Sequence, residues 1–112
     1  MTSEKTRKRG AGRQEAAARF ETLRGFFRGY LHQDFGAEHG SAEEAARAYR
    51  SVASATELRA LVAEWAVFSA AVAGMRWRDV KIALVRELGS SWRPVSRREF
   101  ERLGSVLTGQ AP

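Results

Sequence analysis

The 112-residue chain has no cysteine, which excludes disulfides, thiolate zinc sites and a cysteine nucleophile. An oxidising compartment is therefore not required, and a cytoplasmic location is expected. Long apolar runs are missing as well. The longest uncharged one, residues 65–75, is about half of the ~20 residues that a membrane-spanning helix needs, so no membrane partner is expected. Residues 1–13 are polar and basic with no apolar stretch behind them, so no secretory signal is expected. No segment shows the alternating, β-branched pattern of a strand, and no internal repeat is visible.

Catalytic signatures are equally scarce. There is no phosphate-cradling glycine loop, no nucleophile elbow and no HExxH. Gly10-Ala-Gly12 lies in the basic stretch without a strand before it and is not a dinucleotide fingerprint. The one suggestive cluster is His32-Gln33-Asp34, with Glu38 and His39 close behind. Two histidines and two carboxylates at this spacing could hold a transition metal or form an acid/base pair. The alternative is structural: His32 and Asp34 close the end of a helix, where a histidine also meets the dipole favourably. Metal sites usually recruit ligands from more than one element, so the structural reading is preferred. No catalytic residue, metal or cofactor is expected.

What is present is a globular composition, 44% hydrophobic and 29% charged, in a chain long enough for one core and too short for two ordinary domains. The net charge is +6, but residues 1–13 hold Lys5, Arg7, Lys8, Arg9 and Arg13 against Glu4, leaving only +2 for the remainder. The expected organisation is a disordered basic tail over 1–13, a helical domain over 14–108 and a flexible C-terminus over 109–112.

Three segments open with a Ser-x-x-Glu pattern: Ser41 to Glu44, Ser54 to Glu57 and Ser96 to Glu99. In a capping box the serine oxygen accepts the amide three residues on, and the glutamate there returns to the serine amide. Each such cap is worth roughly 1 kcal/mol. Val95 and Phe100 also fit a hydrophobic staple around the third start. Apolar periodicity predicts five helices, over about 14–31, 42–52, 55–73, 77–88 and 97–107. The stripes are Phe20, Leu23, Phe27, Tyr30 and Leu31; Ala42, Ala45, Ala46 and Tyr49; Leu58, Leu61, Val62, Trp65, Phe68 and Val72; Trp77, Val80, Leu84 and Leu88; and Phe100, Leu103, Val106 and Leu107. Gly74 and Gly89 are expected to stop the third and fourth helices in left-handed conformations. The fold class is therefore all-α, a compact bundle of about five helices.

The second half of the third helix is uncharged on every face, which makes it central or covered by a partner chain. A homodimer through Trp65, Phe68 and Val72 is the corresponding expectation. Most aromatics sit at core spacing; Phe26 lies off its stripe and Trp92 in a loop, so both are candidate exposed contact anchors. The tail resembles short nucleic-acid-binding arms, but Arg76, Arg78, Lys81 and Arg86 spread around their helix and form no coherent recognition face. Nucleic acid is not the expected partner.

Tyr30-Leu-His-Gln-Asp-Phe35 resembles a motif of the immunity proteins of bacterial contact-dependent growth inhibition systems, a Tyr-Phe-His-Gln-Asp-Trp-like element after a first amphipathic helix. The order that follows is also similar. A Glu-rich helix carries an aromatic, here Glu43 to Tyr49, and a long helix comes next. Leu88-Gly-Ser-Ser-Trp-Arg-Pro94 then matches a Leu-Gly-x-x-Tyr-x-Pro-like turn. A last helix opens at Glu99-Phe100 with Leu103 nearby. Phe35 and Trp92 are aromatic swaps within these motifs. The likeness spans roughly residues 20–107 and makes 14–108 an immunity-like domain. It implies a cytoplasmic protein that is not an enzyme and that binds and neutralises the C-terminal toxin domain of a cognate effector. It implies scaffold roles for Tyr30, His32, Gln33, Asp34, Phe35, Leu88, Gly89, Trp92 and Pro94. The alternatives are a small helical DNA-binding or regulatory protein using its basic tail and, third, a metal-dependent enzyme centred on His32, Asp34 and His39.

Overall fold

The computed structural model describes residues 19–32 and 39–110. Among these residues there are five α-helices and no strand. They are α1 (Glu21–Tyr30), α2 (Ala42–Val52), α3 (Ala55–Val72), α4 (Trp77–Leu88) and α5 (Arg97–Leu107). The expected disordered tail and residues 14–18 of the first predicted helix lie outside the described residues, as do Gln33, Asp34, Phe35 and Glu38. α2 lies along α5, and α1 packs against α2, α3 and α4, which places α1 in the middle of the bundle.

The serine half of each expected capping box forms, but the reciprocal glutamate bond closes at one of the three. Ser41, Ser54 and Ser96 accept the amides of Glu44, Glu57 and Glu99 at 3.1, 3.1 and 3.2 Å. The reciprocal bond of a full capping box closes at Ser54, whose amide donates to Glu57 Oε1 at 3.5 Å. Glu44 instead pairs with Arg47 one turn on. The staple expected at Ser96 does not form: Val95 is 83% exposed while Phe100 is buried.

α1 opens differently. Phe20 leaves the helical region (φ −121°, ψ 30°) and offers no side-chain cap. The orphan amide of Leu23 is taken up from a distance, by Glu64 Oε1 of α3 at 2.8 Å, so a tertiary contact supplies what local sequence lacks.

Helix C-termini are closed by the same principle. Arg24 Nη1 donates to the Glu87 carbonyl at the end of α4 (2.6 Å), and Arg50 Nη1 to the Leu107 carbonyl at the end of α5 (2.9 Å). Arg97 Nη2 also donates to the Met75 carbonyl (2.5 Å), tethering the α3–α4 connection and not a helix end. A guanidinium at the last carbonyls satisfies orphan acceptors and opposes the negative end of the dipole. Part of the domain's basic character therefore sits on its own backbone.

Gly89 takes the left-handed conformation expected of it, with φ 64°. Gly74 does not. α3 ends at Val72, followed by a right-handed Ala73 (φ −56°, ψ −37°), and the Met75 amide reaches back to the Val72 carbonyl. Gly104, inside α5, has a steric purpose: a Cβ there would lie 2.6 Å from Cε2 and Nε1 of Trp65.

Two expectations about exposure are corrected by packing. Trp65, Phe68 and Val72 are buried in this chain's own core and are not open to a second copy. Trp65 meets Phe100 at 5.1 Å between ring centroids, and Phe68 meets Phe20 edge-on at 5.8 Å. The remainder of that uncharged half-helix is mostly alanine, which is small and a strong helix former, so its exposure is cheap. Phe26 is fully buried. It lies off the first stripe because α1 is covered on more than one side, and its ring packs edge-on against Tyr49 at 5.4 Å.

Candidate partner-binding surface

The described residues of the two sequence motifs meet the C-terminal half of α1, Tyr30 in its last turn and Trp92 against Phe27. Tyr30, in the last turn of α1, stands in an aromatic stack with Phe26 (6.0 Å, 18°) and His39 (5.5 Å, 20°), and Tyr49 of α2 meets it edge-on (5.4 Å, 88°). Such arrangements suit the ring quadrupoles. Burial, reinforced by the carboxylates of Glu57 and Glu64 and by Tyr30, pushes the Tyr49 phenol above its ordinary 10.0. His32 follows the end of α1 and is half-buried. The structure thus brings Tyr30 and His39 together around α1 and α2, and the three motif residues between them, Gln33, Asp34 and Phe35, lie outside the described residues. Among the described residues, no group of three or more His, Cys, Asp or Glu could hold a metal ion.

The second motif closes α4. Leu88 is buried, Gly89 makes the left-handed turn, and Ser90 Oγ donates to the Trp92 carbonyl at 3.0 Å. This hydrogen bond and the fixed φ of Pro94 fold the connection back onto the bundle. The expectation that Trp92 is an exposed anchor is thereby overturned: it is 5% exposed, its ring 6.3 Å from that of Phe27. A loop position leaves an indole free only where nothing underneath accepts it, and here α1 does.

Folding the connection back creates a groove between it and α4, of about 730 Å³. Its floor is Leu84, Trp92 and Pro94, all buried. Its walls are Ile82, Val85 and Val95, which are 46, 54 and 83% exposed. Arg78, Lys81 and Arg93 complete the lining, with no Asp or Glu among the residues that form it. Periodicity did not single out Ile82 and Val85, because Trp77, Val80, Leu84 and Leu88 already supplied the buried stripe of α4. The available signal was a second stripe on the same helix, Arg78, Ile82 and Val85 at i, i+4 and i+7.

Several basic side chains elsewhere are engaged by the fold itself. Arg24, Arg50 and Arg97 hold carbonyls, and Arg102 pairs with Glu43 at 2.7 Å. Lys81 and Arg93 make no ion pair among the described residues, and Arg78 reaches only its neighbour Asp79, at 3.6 Å and with three quarters of its side chain exposed. No helix among the described residues is long and apolar enough to cross a membrane.

No curated protein and no solved structure matches the chain. The family model described as CdiI immunity protein matches residues 19–99. That span runs from the start of α1 through the closure of α4 to the first turn of α5, and it contains both motif regions. The chain belongs to the CdiI immunity proteins of contact-dependent growth inhibition.

Proposed function

We propose that this protein binds the C-terminal toxin domain of a cognate contact-dependent growth inhibition effector and neutralises it in the cytoplasm of the producing cell, by occlusion and without catalysis of its own. The family match over residues 19–99 carries this reading. Occlusion needs only a rigid surface that covers the toxin's active site or locks its conformation. A helical bundle in which Leu88, Trp92 and Pro94 are buried and Gly89 closes α4, with aliphatic side chains left on its surface, is suited to that task. In this proposal Tyr30, His32, Gln33, Asp34, Phe35, Leu88, Gly89, Trp92 and Pro94 are scaffold.

The test is expression of the toxin domain encoded immediately upstream in a susceptible host, with and without this chain. Growth arrest relieved by co-expression, together with a stoichiometric complex of the two purified proteins, is the expected result. Arrest that persists despite soluble expression of the chain would overturn the reading.

A further inference from the structure

Seven large hydrophobic side chains are conspicuously exposed among the described residues, and three of them, Ile82, Val85 and Val95, line the one groove beside α4. Its basic lining residues have no strong partner within the fold. We propose that this groove is the seat of an acidic, apolar-tipped segment of the toxin domain, an assignment that rests on the toxin-binding function proposed above and adds where the toxin docks and by what chemistry.

Charge complementarity selects the occupant. Three cationic side chains around an apolar trough, with no carboxylate in its lining, repel a basic segment and attract an acidic one. The chain's own residues 1–13 carry five basic side chains against one acidic, so they are a poor occupant. A second copy, at net +6, is little better. Nucleic acid would satisfy the cations but leave three aliphatic walls without a purpose, and the aromatic that could stack on a base, Trp92, is buried in the floor. A lipid surface is planar and cannot enter a concavity floored by buried side chains. A protein segment with one or two large apolar side chains flanked by Asp or Glu satisfies walls and lining together.

The groove is also pre-organised. Trp92 is held from beneath by Phe27 and through its carbonyl by Ser90, and Leu84 is anchored in the core. Little order has to be created on binding, which is where much affinity is otherwise lost.

The test measures binding of the purified upstream-encoded toxin domain to the full chain by calorimetry and by stopped flow. The variants are Ile82→Asp, Val95→Asp and the pair Lys81→Glu with Arg93→Glu, and the controls are Val52→Asp and Val67→Asp, exposed aliphatics outside the groove. Circular dichroism melting establishes that each variant is folded; Val95→Asp, in the loop and 83% exposed, is the variant least able to disturb the fold. Ile82→Asp and Val95→Asp are expected to weaken binding about 30-fold or more, as loss of an apolar anchor does. The charge-reversed pair is expected to slow association about 10-fold and to flatten its salt dependence. Both controls should stay within about 3-fold of wild type. Groove variants that bind like wild type would overturn the docking site while leaving the toxin-binding function standing. A wild-type chain that does not bind the toxin would overturn that function itself. Retained toxin binding, with loss of affinity for anionic phosphatidylglycerol vesicles or duplex DNA in the groove variants, would reassign the groove and overturn the proposal.

Discussion

α2 with α5 and α4 with the connection that follows it use the same residue types to opposite ends. In the first pair, Arg50 reaches the Leu107 carbonyl and Arg102 the Glu43 carboxylate, and the large apolar side chains other than Val52 turn inward. In the second, Lys81 and Arg93 have no such partner, and Ile82, Val85 and Val95 face solvent beside them. An arginine that neutralises the end of a helix is part of the scaffold; one with nothing to meet is available to something outside. Composition and pI count both kinds alike, so the division between scaffold and surface becomes visible only when the donors are traced to their acceptors.

The comparison breaks most sharply at Phe26. If it were a surface anchor its removal would leave stability unchanged; as a fully buried ring against Tyr49, its replacement by alanine should cost about 3–5 kcal/mol. Urea unfolding at neutral pH measures this, and a change below about 1 kcal/mol would contradict the packing around α1. Next in size is Arg50→Ala, which leaves the Leu107 carbonyl without its donor and should cost about 1–2 kcal/mol, toward the lower part of the range for bonds to charged groups because the site is part-exposed. Arg93→Ala in the groove should stay within about 0.5 kcal/mol. Equal losses at the two positions, read from denaturant midpoints, would erase the distinction drawn between them. Ser54→Ala, at the reciprocal cap of α3, should cost about 1 kcal/mol, visible as a shift in thermal midpoint. The smallest effect concerns alkali. The folded chain keeps the Tyr49 proton above pH 10.0 while the unfolded chain releases it there, so the unfolded state binds fewer protons and stability falls as pH rises beyond that point. In Tyr49→Phe the difference between urea midpoints at about pH 9 and about pH 11 should be smaller than in wild type.

Legibility followed the range of the interactions involved. Serine caps act over three residues and helical stripes over four, so the starts of α2, α3 and α5 and the all-α class could be read directly. Gly89 was legible for the same reason, since a left-handed stop is a local demand. Phe26 was not, because whether the face beside a stripe is covered depends on α2 arriving against α1 from elsewhere in the chain. Trp92 failed similarly: a loop position gives no hint that Ser90 and Pro94 fold it down onto Phe27. The uncharged half of α3 suggested a partner chain, yet Trp65 finds its complement in the notch left by Gly104, more than thirty residues away in the same chain. The groove was not legible because the second stripe of α4, Arg78, Ile82 and Val85, is short and partly charged beside the buried one.

The groove has a further property. All of its lining falls in one unbroken stretch, residues 78–95, whereas the arginine-to-carbonyl contacts join segments far apart in the chain. A contiguous stretch can be exchanged in a single recombination event. Provided Val80, Leu84, Leu88 and Trp92 keep their places beneath it and the Glu87 carbonyl still meets Arg24, such an exchange would leave the other distant contacts untouched. The surface offered to the outside can then be replaced as one cassette while the rest of the framework is inherited.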